Sequence, residues 1–285
     1  MDVSVVIPMY NAAATIREQL EALAKQDFQG SWEVLVVDNG SVDDGPKVVR
    51  STTLSVPCTV LLAPERQGPP YARNVGARHA RGQYLAFADA DDVATPGWLR
   101  GLMECAVPDA ICMGVLDPTL LNSKEIQKAR GARPNIGTPR GPLDLMLSAW
   151  GSNMLISHDL FNELGGFDPD LLCGDDADLS YRAQLVGKEI RFAPDAVMNY
   201  RYRDNLRSLY LQVREWATWD VWFFKRYREY GTRRRPLTKA LLGWWWQVSR
   251  IPLLLFPGRR VDWWIALAQR VGNIRGSIRF HTLYI

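Results

Sequence analysis

Cysteine is scarce and scattered: four in 285 residues (Cys58, Cys105, Cys112, Cys173), with no Cys-x-x-Cys pair. That spacing excludes a disulfide framework and a cysteine-based zinc site, and it points to a reducing, cytosolic setting. No basic segment precedes an apolar one at the amino terminus; Val3 to Ile7 enters directly as a strand-like run, so no signal peptide is expected. No apolar run approaches the roughly 18–20 residues that a membrane-spanning helix needs. No recognition motif accompanies the basic residues, which argues against nucleic acid as a partner. What remains is a chain long enough for one large core with an appendage, or two smaller cores.

The net charge of +3 hides a division. Residues 206–285 hold 15 Lys/Arg against 4 Asp/Glu, a net of +11, and eight of the eleven tryptophans. Residues 1–205 hold 19 and 27, a net of −8. So sharp a change predicts a domain over 1–205 and a basic, aromatic helical extension over 206–285.

Within 1–205, strands alternate with helices. Val3–Ile7, Trp32–Val37, Cys58–Ala63 and Tyr84–Ala88 read as strands. Ala12–Gln26, with Ile16, Leu20 and Leu23 at helical spacing, and Pro69–Ala80 read as helices. The alternation implies a parallel, doubly wound sheet. From Asp117 to Pro142 the text is polar and rich in glycine and proline, which predicts a long loop over the crevice. A new strand begins at Trp150, and a helix begins near Asp175.

Two of the strands end in carboxylates, at Asp38 and at Asp89, Asp91 and Asp92. Parallel strands deliver them to one carboxyl edge, where open α/β folds bind ligands. Clustered carboxylates repel unless a positive group sits among them, and a hard divalent cation is the usual partner. The competing reading is turn and capping chemistry, with Asp92 or Thr95 as N-cap and Pro96 in the first turn of a helix. Asp175, Asp176 and Asp178 likewise suit a helix dipole, but three exceed what capping needs.

The order of these motifs resembles the family-2 glycosyltransferases, inverting enzymes of the GT-A fold. The motifs are Pro8-Met9-Tyr10-Asn11, Val37-Asp38-Asn39-Gly40-Ser41, Ala72-Arg73-Asn74-Val75-Gly76, Ala88-Asp89-Ala90-Asp91, Gly165-Gly166-Phe167-Asp168 and Asp175-Asp176-Ala177-Asp178-Leu179. Each is weak alone; six in register over about 3–205 are specific. The resemblance implies a mixed, mainly parallel, Rossmann-like sheet and transfer of a hexosyl-type sugar from a nucleotide-diphosphate donor to a hydroxyl acceptor. That acceptor stays open between a glycan, a lipid-linked carrier and a small molecule.

On that resemblance, Pro8, Tyr10, Asn11, Asp38, Asn39, Arg73 and Asp89 face the donor. Asp89 and Asp91 hold Mg2+ or Mn2+, and Asp176 is the base. Gly151, Ser152, Asn153 and Asp175 fall on the acceptor side. Asn39 stands where many relatives have a second aspartate. Asn199 stands where a histidine often serves as a third metal ligand, and Arg201 and Arg203 are candidate diphosphate contacts in compensation.

The extension carries a long amphipathic helix from Leu206, then Arg233–Arg235, Trp244–Trp246, Ile251–Phe256 and Trp263-Trp264. Tryptophan and leucine clusters punctuated by arginine fit an anionic membrane surface, here its cytosolic face. A dimer interface or a helical subdomain core would use the same residues. Two rival functions are a sugar-nucleotide nucleotidyltransferase and a non-catalytic nucleotide-sugar-binding scaffold. The first lacks its expected Gly-rich, Arg/Lys-bearing loop after strand one; the second would read Asn39 and Asn199 as decay.

Overall fold

The structure, a computed structural model, describes residues 1–232, 237–255 and 257–284. The Arg233–Arg235 cluster and Phe256 of the tail lie outside the described residues. The chain divides into two compact units: residues 1–121, 133–139 and 146–201, and residues 122–132, 140–145 and 202–285.

The first unit opens with β1 (Val3–Met9), α1 (Ile16–Leu23), β2 (Trp32–Asp38), α2 (Gly45–Ser51), β3 (Cys58–Leu62), α3 (Pro69–His79) and β4 (Tyr84–Ala88). Then come β5 (Val93–Ala94), α4 (Trp98–Cys105) and β6 (Ala110–Asp117). The second unit contributes α5 (Lys124–Arg130) at this point. The first resumes with β7 (Asn153–Ser157), α6 (His158–Glu163), α7 (Asp175–Leu185) and β8 (Glu189–Asn199).

Strand order is β3-β2-β1-β4-β7-β6-β8-β5. β1 runs parallel to β2 and β4, and β2 to β3. β7 lies antiparallel between β4 and β6, and β8 is parallel to β6. The sheet is therefore mixed and mainly parallel. Because β2, β1 and β4 are parallel neighbours, Asp38 and Asp89 leave the sheet at the same edge.

The central strands are buried along their whole length, as their continuous apolar text requires. One face is covered by Ile16, Leu20, Trp98 and Leu99, the other by Val75, Phe161, Phe167 and Leu179. A Cβ on Gly76 would lie 2.4 Å from Val6 Cγ1, so this glycine lets α3 press directly onto the sheet. Phe87, Phe161 and Phe167 form a ring cluster with centroids 5.1–5.6 Å apart.

Two local expectations give way. Neither Asp92 nor Thr95 caps a helix: Val93 and Ala94 pair with β8, and α4 starts later, after Gly97. Thr95 instead donates its hydroxyl to Val197 O. The stretch 117–142 does not stay a loop, since Ser123 caps α5 through Ile126 N–H and Gly131 ends it in a left-handed turn.

In the second unit, α8 (Leu206–Tyr227), α9 (Leu237–Ser249) and α10 (Pro257–Arg279) supply the framework. A Cβ on Gly272 would lie 2.3 Å from Arg214 O, and one on Gly276 2.4 Å from Thr218 O, so α8 and α10 approach backbone to backbone. Along α8, Trp219, Trp222 and Phe223 meet edge to face, and Phe223 stacks on Tyr227. Leu241, Leu242, Trp245 and Val248 of α9 face solvent. No described helix is long and apolar enough to cross a membrane.

Candidate active site

β4 ends at Ala88, and the chain then turns through Asp89, Ala90, Asp91 and Asp92. Asp89, Asp91 and Asp92 each offer a carboxylate oxygen, all within 4.8 Å of one another. Asp92 is 1% exposed; its Oδ1 accepts Arg201 N–H at 3.0 Å, while its Oδ2 is buried without a partner. Burial pushes its carboxyl well above the usual aspartate range, and the Asp89 and Asp91 charges add to the rise. Hard oxygen donors, like-charge crowding and an orphaned buried oxygen fit a divalent cation. Gln19 of α1 braces this turn, donating to Asp89 O at 3.3 Å and accepting from Ala94 N–H at 2.9 Å.

Opposite Asp89 lies the start of α7. Gly174 adopts a left-handed φ of +78°, which a side chain would oppose, and turns the chain into the helix. The three aspartates that follow divide three tasks. Asp178 pairs with Arg182 at 2.7 Å, and Arg182 also donates to Leu164 O and Gly166 O, tying the Gly165-Gly166 turn to the helix. Asp175 accepts from Arg73 at 2.8 Å. Asp176 accepts Gly151 N–H at 2.9 Å and Ala177 N–H at 2.8 Å, which fixes the direction of its carboxylate.

Arg73, from α3, joins the two acidic groups. It is 5% exposed, donating to Asp89 Oδ1 at 2.7 Å as well as to Asp175, with its plane over Phe167. Burial opposes its charge, but Asp89, Asp175 and Asp176 prevail and raise its pKa above the ordinary arginine value. Burial likewise pushes the Asp175 carboxyl up, to about 6, against the pull of Arg73. Asp176 is raised too, mainly by burial, with Gly151 N–H and Arg73 opposing. A Cβ on Gly151 would sit 3.1 Å from Arg73 Nη1, so a glycine there leaves room for the guanidinium. Arg73, expected against a donor, is a strut between carboxylates, and Asp175, expected on the acceptor side, is its buried counter-ion.

The remaining expected residues separate into two groups. At the donor side, Asp38 accepts Ser41 N–H at 3.0 Å, Asn11 accepts Val42 N–H at 2.9 Å, Tyr10 is exposed, and Pro8 sits in β1 opposite Val37. Asn39 is committed to backbone: its amide donates to Ala63 O at 2.6 Å and Arg66 O at 2.8 Å and accepts Gly68 N–H at 2.7 Å. A carboxylate there would face two carbonyl oxygens with no proton to give. Asn153 sits away from an exposed acceptor wall. It is 0% exposed, accepting from Trp98 Nε1 and donating to Val115 O and Ala196 O, so its polar atoms are committed within the core. Ser152 beside it is buried. Asn199 donates to Val93 O, and Arg201 is tied to Asp91 O and Glu18. Arg203 belongs to the second unit.

Residues 4–165 match Glycosyl transferase family 2, more than half of the chain. The chain belongs to that family. Residues 141–272 also match Glycosyl transferase family group 2. Among curated proteins, Glycosyltransferase AglE of Haloferax volcanii is 31% identical over 199 residues, covering 68% of this chain and 65% of AglE. Succinoglycan biosynthesis protein ExoO of Rhizobium meliloti is 29% identical over 260 residues, covering 85% and 73%. The chain spans 65%, 30% and 44% of the first three curated relatives it matches. Mannosyltransferase PcManGT from Pyrobaculum calidifontis, solved with GDP-Man and Mn2+, superposes with a TM-score of 0.62 at 19% identity, over 96% of this chain and 86% of that one. S. aureus TarS 1–349 with UDP-GlcNAc gives 0.56 at 20%, over 100% and 93%. At these identities the likeness speaks for the GT-A fold and its helical C-terminal region.

Three further residues escaped the sequence reading: Gln19, Asn74 and Arg182. Asn74 clasps the Gly165–Asp168 turn, donating to Phe167 O and accepting Phe167 N–H. Its place beside Arg73 in the quoted motif was the available signal.

Proposed function

We propose that this chain is an inverting, metal-dependent glycosyltransferase using a nucleotide-diphosphate sugar and a hydroxyl acceptor. One observation carries the reading: Arg73 bridges Asp89 of the acidic strand end to Asp175, the neighbour of Asp176, at 2.7 and 2.8 Å. Two functional halves are thereby locked into one crevice. Asp89 and Asp91 would hold Mg2+ or Mn2+, whose charge, when bound, favours departure of the diphosphate. The donor would lie along Pro8, Tyr10, Asn11 and Asp38, with Asn39 shaping that wall through its backbone bonds.

Asp176 then takes the proton of the acceptor hydroxyl as its oxygen bonds to the anomeric carbon. The bond from that carbon to the diphosphate breaks on the opposite face, so the configuration inverts. Burial makes Asp176 a stronger base than a solvated aspartate, and its two backbone hydrogen bonds hold it for the transfer. The names of PcManGT and TarS complexes, with GDP-Man, UDP-GlcNAc and Mn2+, support a nucleotide-sugar and cation site. The name of ExoO supports a glycan acceptor, with a lipid-linked carrier as the finer reading.

The scaffold reading is weakened by Asn39 and Asn199. Asn39 donates to two carbonyls and accepts one N–H, which needs an amide, and Asn199 donates to Val93 O, so both side chains are committed to the backbone. The proposed place of work is an anionic membrane surface on the cytosolic side, supported by the outward apolar face of α9 and the net +11 of residues 206–285.

The test is a nucleotide-sugar binding and turnover screen with Mn2+, Mg2+ or chelator, on wild type, Asp91→Ala and Asp176→Asn. The expected result is metal-dependent binding of one donor, lost in Asp91→Ala and kept without turnover in Asp176→Asn. Absence of any nucleotide-sugar binding would refute the reading.

A further inference from the structure

We infer that Arg201 is a positioning residue for the cation-holding turn after β4, an inference that rests on reading Asp89 and Asp91 as the cation's ligands. Arg201 lies just past β8 and grips two pieces of the first unit, the turn and α1, at three points. Its backbone N–H donates to Asp92 Oδ1 at 3.0 Å, its Nε to Asp91 O at 2.9 Å, and its Nη2 to Glu18 Oε2 on α1 at 2.6 Å. The grip on Asp91 is through the main chain, so it fixes where that residue's carboxylate emerges. Glu18 anchors the guanidinium from the far side.

The sign of the charge sharpens the argument. A cation binding among Asp89, Asp91 and Asp92 is repelled by a neighbouring guanidinium. Charge alone therefore predicts tighter cation binding when Arg201 is neutralised, whereas positioning predicts weaker binding. Lysine keeps the charge but not the fork that engages Asp91 O and Glu18 at once. Groups that orient ligands from behind change metal affinity by about 10–100-fold.

The experiment titrates Mn2+ alone into wild type, Arg201→Lys, Arg201→Gln and Glu18→Gln, following the free-ion signal by electron paramagnetic resonance. In parallel, amide hydrogen exchange is followed across residues 85–99, and the unfolding temperature is recorded. Both Arg201 variants are expected to bind Mn2+ about ten-fold more weakly and to exchange faster across the turn, at an unfolding temperature close to wild type. Glu18→Gln, remote from the carboxylates, is expected to show a smaller loss of the same kind. Wild-type affinity and exchange in Arg201→Lys, or tighter Mn2+ binding in Arg201→Gln, would overturn the inference. Should wild type itself take no Mn2+, the metal reading fails and exchange alone decides: faster exchange in Arg201→Lys upholds the grip, unchanged exchange ends it.

Discussion

At the sheet edge of the first unit, Arg73 is 5% exposed among carboxylates and Asp92 is 1% exposed, whereas on α9 of the second unit Leu241 and Trp245 are each 70% exposed. One unit holds charge inside and the other holds apolar side chains outside. Both arrangements oppose the ordinary order of burial, and each is costly unless a partner completes it. In the first, the partner is internal: Arg73 answers Asp89 and Asp175, while Arg73 Nε and Asp92 Oδ2 stay buried without partners. On α9, the partner proposed here is external. The difference sets the proposed catalytic crevice, whose charges are answered from within the unit, against a helix face whose proposed partner is a membrane.

The strongest way to break the comparison is at the base. Asp176→Asn should lower kcat by about 10²–10⁴-fold while leaving donor binding intact, checked by single-turnover kinetics and donor titration. Loss of binding together with turnover would mean that Asp176 holds the site together instead of taking a proton.

Next is the strut. Arg73→Met leaves Asp175 buried without its counter-ion and should cost about 3–5 kcal/mol in urea unfolding. Adding Asp175→Asn to that variant should recover part of the loss, because the unpaired charge is then gone.

In the second unit, Gly276→Ala drives a methyl toward Thr218 O on α8 and should destabilise the helix pair by about 1–3 kcal/mol. The outward face responds differently. Leu241→Ser with Trp245→Ser should leave folding stability unchanged and reduce partition onto anionic vesicles about ten-fold. Full vesicle binding by that double variant would move the attachment elsewhere.

The smallest effect is in pH. Asp175 has a folded pKa of about 6, above the ordinary 3.8. Its contribution to stability is therefore fully present below 3.8 and is lost as pH rises through about 6. If Asp176 is the base, as proposed, catalysis needs it ionised; its pKa is also raised, so activity should climb as stability slackens across this window. Because the two carboxyls are neighbours, the limb belongs to the pair. A pH–rate profile beside unfolding temperatures of wild type and Asp175→Asn checks both; the variant should show the flatter stability profile.

The four apolar strands up to Ala88, the helices over Ala12–Gln26 and Pro69–Ala80, the strand after Trp150 and the helix at Asp175 were legible because buried parallel strands must be continuously apolar and their helices amphipathic, whereas α2, β6, α6 and β8 were not read. The acidic strand ends were legible for the same reason, since Asp38 and Asp89 follow apolar runs that can only stop at a sheet edge. The roles of individual polar side chains were not. Asn39 and Asn153 read as site residues, yet their amides bond to Ala63 O, Arg66 O, Val115 O and Ala196 O, partners 24 to 43 positions away. Arg73 read as a donor-side residue and Arg201 as a diphosphate contact, yet each holds carboxylates or carbonyls brought from other elements.

The sequence by itself determined the alternation, the acidic edge, the family and the basic, tryptophan-rich character of the last 80 residues, because these are properties of local pattern and composition. Only the tertiary structure decided which carboxylates share Arg73, which one keeps a buried oxygen without a partner, and which face of α9 points outward. Those depend on directions and distances between residues far apart in the chain, and no spacing along the sequence encodes them.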